Sequence, residues 1–321
     1  MSGKSTGAII LAAGKGTRMK SDLPKVLHPL LGRPLLWHVL ALVESLGVQE
    51  TVAVIGHGRE RVERFLKGYG VKWAVQEEQL GTGHAVSCGL GALSDSVEDI
   101  LILCGDTPLF KFETLDALIK AHEGHGSDIS VLSALFSDPT GYGRIVRDAA
   151  GRLRAIVEQK DGDDETLSIR EINSGTYLVK AEALRELLPL IENNNAQGEY
   201  YLTDIVALGL QKGLSVEAFP LAEEDETLGV NSRFQLSQAE AVLLKRLRRR
   251  LMDSGVTLVM ADTIYLEPGV AIENDVVIEP FTMICGSTSI GKGARIGAGA
   301  ILKDVAIPAG MVVQPGMILT G

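Results

Sequence analysis

From Gly7 to about Asn231, short aliphatic runs alternate with longer stretches in which apolar residues recur every three or four positions. Ala8-Ile9-Ile10-Leu11, Thr51-Val52-Ala53-Val54-Ile55, Ile100-Leu101-Ile102-Leu103 and Ile129-Ser130-Val131-Leu132 each run into a glycine or polar cluster and predict strands. Residues 35–46, 59–66, 83–93 and 112–122 carry the spacing of core-facing helices. The alternation predicts an open α/β sheet, which binds ligands at the carboxyl ends of its strands.

The pattern then changes twice. Residues 234–252 have helical spacing, strong helix formers and no proline, and Ser254-Gly255 supplies a stop signal. From Met260 onward aliphatic residues recur every sixth position, at Met260, Leu266, Ile272, Ile278, Ile284, Ile290, Ile296 and Leu302. Small or β-branched residues follow four places later, at Ile264, Val270, Val276, Thr282, Thr288, Ala294, Ala300 and Ala306. Hexapeptide spacing predicts a parallel β-helix, each repeat forming one side of a coil. About three coils fit, and the hexads beginning at Pro308 and Gln314 lose the pattern, so the stack is expected to close near Gly321. The expected division is 1–233 for the sheet domain, 234–255 for a connecting helix and 256–321 for the β-helix.

Composition narrows the function. A chain of 321 residues exceeds one ordinary core, and 45% hydrophobic content makes packed cores feasible. The net charge of −10 argues against a nucleic-acid backbone as partner, and the one basic run, from Lys245 to Arg250, reads as a solvated helix face or a subunit contact. The three cysteines, Cys88, Cys104 and Cys285, form no close pair, which fits the reduced cytoplasm. No apolar run approaches the roughly 20 residues that span a bilayer, so neither membrane nor secretion is expected.

The candidate chemistry begins at Leu11-Ala12-Ala13-Gly14-Lys15-Gly16-Thr17-Arg18-Met19, followed by Leu23-Pro24-Lys25. Glycines directly after a strand let backbone N–H groups approach phosphate oxygens, and Arg18 and Lys25 add the positive charge that a triphosphate demands. The string Gly3-Lys4-Ser5-Thr6 imitates the end of a P-loop, but no glycine or strand precedes it, and it is read as chance. Gly105-Asp106 follows the 100–103 strand, so the Asp106 carboxylate is expected at a strand's carboxyl end. With Asn231 it offers the oxygen donors that suit Mg²⁺ beside substrate phosphates.

In this setting the 11–25 loop resembles the signature loop of nucleoside-triphosphate sugar-1-phosphate transferases. More narrowly it is similar to the uridylyltransferase domain of the bacterial bifunctional N-acetylglucosamine-1-phosphate uridylyltransferase/glucosamine-1-phosphate acetyltransferase family. Further segments match in order: Gln76-Glu77-Glu78-Gln79-Leu80-Gly81-Thr82-Gly83-His84-Ala85, Gly105-Asp106, Gly141-Tyr142-Gly143-Arg144-Ile145, Ile156-Val157-Glu158-Gln159-Lys160, Glu171-Ile172-Asn173-Ser174-Gly175, Gln197-Gly198-Glu199-Tyr200-Tyr201-Leu202-Thr203-Asp204 and Gly229-Val230-Asn231.

The resemblance implies a Rossmann-like nucleotidyltransferase domain followed by a left-handed parallel β-helix. It implies nucleotide contacts at Leu11, Ala12, Ala13, Gly14 and Gly105, and uracil contacts at Gln76, Gly81 and Thr82. Amino-sugar contacts are implied at Gly143, Glu158, Asn173 and Asn231, metal ligands at Asp106 and Asn231, and catalytic roles for Arg18, Lys25 and Asp106. The 197–204 run is expected to line and support the site. The expected reaction joins UTP and N-acetylglucosamine-1-phosphate with Mg²⁺, in a homo-oligomer for which hexapeptide-repeat relatives suggest a trimer. Cys104 departs from the tyrosine usual in the family, which bears on packing beside the sugar or ribose. The short β-helix is expected to lack acetyltransferase activity and to end naturally. Two other readings keep the fold: transfer of another nucleotide or to another sugar phosphate, and a non-catalytic nucleotide-sensing assembly subunit.

Overall fold

A computed structural model describes residues 5–221 and 223–321; Gly3 and Lys4 of the P-loop-like string lie outside the described residues. The chain forms two compact units: residues up to His28 together with Leu35–Arg233, and Pro29–Pro34 together with Phe234–Gly321.

The first unit is built on a nine-stranded mixed sheet. Its strand order is Val216–Pro220, Ile129–Leu135, Glu171–Lys180, Asp99–Cys104, Thr6–Ala12, Glu50–Ile55 and Lys72–Val75. Thr6–Ala12 lies parallel between Asp99–Cys104 and Glu50–Ile55, while Glu171–Lys180 runs antiparallel to both its neighbours. The aliphatic runs are continuous because both faces are covered. Ile9, Val52, Val54, Ile100 and Ile102 enter one core, and Ala8, Ile10, Ala53, Ile55, Leu101 and Leu103 enter the other, as the two-residue strand period requires.

All four predicted strands and four predicted helices form, with shifted ends. The helix expected at 112–122 runs Phe112–His125 and stops where Gly126 takes a left-handed conformation; the helix expected at 83–93 runs Thr82–Leu90 and is capped at Gly91. Arg144–Arg147 and Leu153–Val157 make an antiparallel arm that joins the sheet through the Ile172–Arg144 pairing.

In the second unit the helix Arg233–Asp253 precedes three parallel sheets of two- and three-residue strands. Leu266, Ile278, Ile284, Ile290, Ile296 and Leu302 point into the coil and are buried. Two positions differ from the hexad reading. Met260 is exposed, with a left-handed φ of 50°, so the inward series starts at Leu266. Ala306 faces outward, and Val305 packs against the core instead.

The pattern also does not lapse at Pro308. Ile284 pairs with Leu302 eighteen residues on, whereas Leu302 pairs with Leu319 seventeen residues on. The last coil is one residue shorter, which carries Ile307 and Val313 inward out of the six-residue register.

The hairpin Pro29–Pro34, unmarked by any sequence pattern, belongs to this second unit. Leu31, with φ of 46°, is buried in the coil's core cluster, and a Cβ on Gly32 would strike the Glu267 carboxylate.

Candidate active site

Strand ends and the loops after them build a cavity of about 250 Å³. Leu11, Ala12, Ala13 and Gly14 form one wall, Gln76, Gly81 and Thr82 a second, and Lys25, Cys104 and Asp106 a third. A Cβ on Gly14 would meet nothing within 4 Å, so this wall stays open to a ligand. Gly16 has φ of 60°, and a Cβ there would come within 2.7 Å of Lys25 Cβ. A residue larger than glycine at position 16 would therefore push the lysine stem out of place. Gly105 supports the floor, its N–H donating to the Leu11 carbonyl at 2.9 Å.

On the third wall, Lys25 Nζ donates to Asp106 Oδ2 and, at 3.0 Å, to Asn231 Oδ1. A carboxylate and an amide oxygen from distant parts of the chain thus converge on one positive charge. The set fits a hard divalent cation that keeps waters and binds substrate phosphates, because such an ion takes only one or two protein oxygens. Among the described residues no cluster of three or more His, Cys, Asp or Glu side chains is arranged for a metal. Arg18 lies outside the cavity wall, exposed on the short helix Thr17–Met19, which the buried Met19 anchors. Burial and the Asp106 charge push the Cys104 thiol up to about 12, so it is a neutral wall group and not a nucleophile.

On the second wall, Gln76 is only 3% exposed. Its Nε2 donates to the Gly81 carbonyl at 3.0 Å and lies 3.2 Å from His84 Nδ1. That assignment uses the amide's donors within the protein and leaves Oε1 as an acceptor for the cavity. Gly81 has φ of 113°, and a Cβ there would approach the Tyr200 carbonyl to 2.5 Å. The loop is stitched to the 197–204 segment: Tyr200 N–H donates to Leu80 O at 2.7 Å, Gly83 N–H to Tyr200 O at 2.8 Å, and Leu202 N–H to Thr82 Oγ1 at 3.0 Å.

Gly143, Glu158 and Asn173 form a second cluster and do not line this cavity. The Asn173 N–H donates to Gly143 O at 2.8 Å, and a Cβ on Gly143 would stand 3.4 Å from Glu158 Oε1. The Asn173 side chain is engaged internally, donating to the Tyr177 hydroxyl at 2.8 Å and accepting from the Gly175 N–H at 3.0 Å. The Gly175 carbonyl lies 3.9 Å from Cys104 Sγ, which links the cluster to the cavity. Sequence reasoning missed Thr203 here. It is 5% exposed, its Oγ1 lacks a hydrogen bond of good geometry, and it neighbours Glu158. Only its place in the matched 197–204 run signals it.

A larger cavity, about 820 Å³, opens beside Arg147, Arg152 and Arg154 and shares no lining residue with the first. Arg147 is bound to Glu171 and Arg152 to Asp148, so most of its positive charge is already neutralised. Volume alone does not mark the chemistry.

The model of the MobA-like NTP transferase domain matches residues 8–171. The chain belongs to the MobA-like NTP transferase family. The bacterial transferase hexapeptide, six repeats, matches residues 269–304 of this NTP transferase. Its relatives include the bifunctional proteins GlmU of Heliobacterium modesticaldum, 50% identical over 268 residues, and of Exiguobacterium sp., 48% identical over 268 residues. GlmU of Pelobacter propionicus is 48% identical over 273 residues. These alignments cover 84–85% of this chain and 58–59% of the relatives, so the chain spans about three fifths of the length of the curated relatives it matches. The resemblance read from the ordered motifs is borne out.

In this NTP transferase the Glu158 carboxyl is pushed above its ordinary value, first by burial and then by the Asp161, Asp204 and Glu199 charges, against a pull downward from Thr203. A carboxyl raised in the folded state adds stability at low pH and loses it as pH rises through the raised value. At neutral pH the ionised group is therefore a cost of folding. Glu158→Gln is expected to raise the melting temperature at neutral pH, by roughly 2–4 °C per kcal/mol relieved. The gain should vanish near pH 4.5, the ordinary value. An unchanged or lower melting temperature at neutral pH would contradict this account.

Proposed function

We propose that this chain transfers uridylyl from UTP to N-acetylglucosamine-1-phosphate, forming UDP-N-acetylglucosamine and pyrophosphate. The carrying observation is that a base-reading acceptor, Gln76 Oε1, and a cation-centred pair, Asp106 and Asn231 about Lys25, serve one cleft. An acceptor at that point suits the N3–H of uracil and repels the bare N3 of cytosine. The sugar-phosphate oxygen attacks the α-phosphorus of UTP in line. A new P–O bond forms, the α–β bridge breaks, and pyrophosphate leaves with the bridging electron pair.

Positioning and charge neutralisation carry the rate, with no covalent enzyme intermediate. Lys25 and the 11–14 backbone hold the phosphates, Arg18 adds charge from the loop's outer side, and Gly143, Glu158 and Asn173 receive the sugar. Asp106 and Asn231 would hold Mg²⁺, which supplies neutralisation of the phosphate oxygens when bound. The three unpaired cysteines support a cytoplasmic setting, and among the described residues no helix is long and apolar enough to cross a membrane. The outward ladder Tyr265, Met283, Ile301 and Ile318 on one coil sheet supports association between copies, as a trimer. No acetyl transfer is proposed for this chain.

Pyrophosphate release, measured with Mg²⁺ across nucleoside triphosphates and sugar-1-phosphates, is expected for UTP with N-acetylglucosamine-1-phosphate above all other pairs. Release with a different pair would reassign the substrates, and silence with every pair would favour a sensor. Consumption of acetyl-coenzyme A with glucosamine-1-phosphate, or a monomer by light scattering at micromolar concentration, would remove the corresponding part of the proposal.

A further inference from the structure

Arg144 is the largest of the fully buried side chains, 2% exposed, on the arm that carries the sugar-side cluster. Its guanidinium donates through Nη1 to the Tyr142 carbonyl and through Nη2 to Gln159 Oε1 at 2.9 Å. Both acceptors are neutral, and Nε has no partner among the described residues. Burying a cation against neutral acceptors is expensive, so the arrangement calls for a compensating role. Gln159 Oε1 also accepts from the Gly141 N–H at 3.0 Å. One guanidinium and one amide thereby clamp the Gly141-Tyr142-Gly143 turn at both ends.

The clamp fixes a peptide plane. With no cis bonds among the described residues, the N–H of Gly143 points opposite to the Tyr142 carbonyl that Arg144 holds. Gly143 is buried, its own carbonyl accepts from Asn173, and its N–H meets no acceptor among the described residues. A buried backbone donor left without a partner is rare and costly. Here it stands beside the Glu158 carboxylate, so a donor and an acceptor present themselves together. A ligand with an adjacent hydroxyl and carbonyl, as an N-acetylated sugar has, satisfies both.

We propose that Arg144, with Gln159, is a positioning residue for the sugar phosphate: it holds the Tyr142–Gly143 peptide so that the Gly143 N–H is presented to the sugar, without itself touching the substrate. The proposal rests on the uridylyl-transfer reading, and it assigns work to two residues of that reading's matched segments that had none. Neither residue meets the nucleotide cavity, so the effect should fall on one substrate only.

The test is steady-state pyrophosphate release by the full chain with R144M, R144K and Q159A, varying each substrate in turn. The R144M KM for N-acetylglucosamine-1-phosphate should rise about tenfold or more, as the loss of one well-oriented hydrogen bond would give. Q159A should follow with a smaller rise, while the KM for UTP stays within about twofold in both, because the base contacts are untouched. R144K should fall between wild type and R144M, since an ammonium reaches one acceptor but cannot fork to two. Should R144M fail to fold, Q159A, at a half-buried position, decides the matter. Equal rises in both KM values, or an unchanged sugar-phosphate KM in Q159A and R144K, would overturn the inference. A wild-type chain silent with this substrate pair would instead overturn the reaction on which it rests.

Discussion

Lys25→Ala is expected to lower kcat by about 10²- to 10³-fold, the usual cost of removing one preorganised group that meets developing charge. The side chain is 15% exposed and its ammonium is shared between Asp106 and Asn231. It therefore stands where triphosphate oxygens would arrive, already stripped of most of its water. Positive charge placed beforehand needs no reorganisation during the reaction. A Cβ at position 16 would strike the Lys25 stem, so its placement depends on that glycine. The fold should survive, because the ion pair is local to the loop and most of the sheet core is remote from it. Initial-rate pyrophosphate release together with a thermal melt makes the check. A rate within about threefold of wild type would take Lys25 out of catalysis, and a collapsed melt would make its role structural.

Asp106→Asn should be nearly as damaging, for a different reason. The substitution keeps shape and one oxygen but removes the negative charge that pairs with a cation. The concentration of Mg²⁺ giving half-maximal rate should rise about tenfold or more, with kcat down on the order of 10²-fold at saturating metal. An unchanged Mg²⁺ dependence would exclude Asp106 as a ligand. The two variants separate the functions of the pair: loss of Lys25 should leave the metal dependence near normal, whereas loss of Asp106 should shift it.

The first unit was largely legible in the chain because its core strands are covered on both faces. A run such as Ile100-Leu101-Ile102-Leu103 has few alternatives, and the helices between runs keep their period. The cavity wall was legible for a related reason, since glycines at 16 and 81 sit where a Cβ would strike the Lys25 stem or the Tyr200 backbone. Other features left weaker traces. Strands of two residues in the Pro29–Pro34 hairpin are too short to show a period. The shortened last coil breaks a six-residue register by one position while keeping its inward side chains, which a fixed spacing registers as loss of pattern. Arg144 stands in a matched segment with no role of its own in sequence, and only the structure shows its burial and its carbonyl and amide partners. The separation of Gly143, Glu158 and Asn173 from the nucleotide cavity likewise depends on how the arm turns, which no local spacing encodes.

The hairpin sets an order of events during synthesis. Leu31 emerges early, yet the side chains that share its core cluster, from Leu244 to Val313, follow about 210 to 280 residues later. At cellular translation rates of about 5–20 residues per second, the hairpin waits roughly 10–60 s for its core. Through that interval a leucine whose final state is 1% exposed stays in water, on a loop that begins four residues after Lys25. The last coils thus complete a core whose first member is made with the hairpin. In the growing chain, Leu31 lacks that core until the coils that share it have been made.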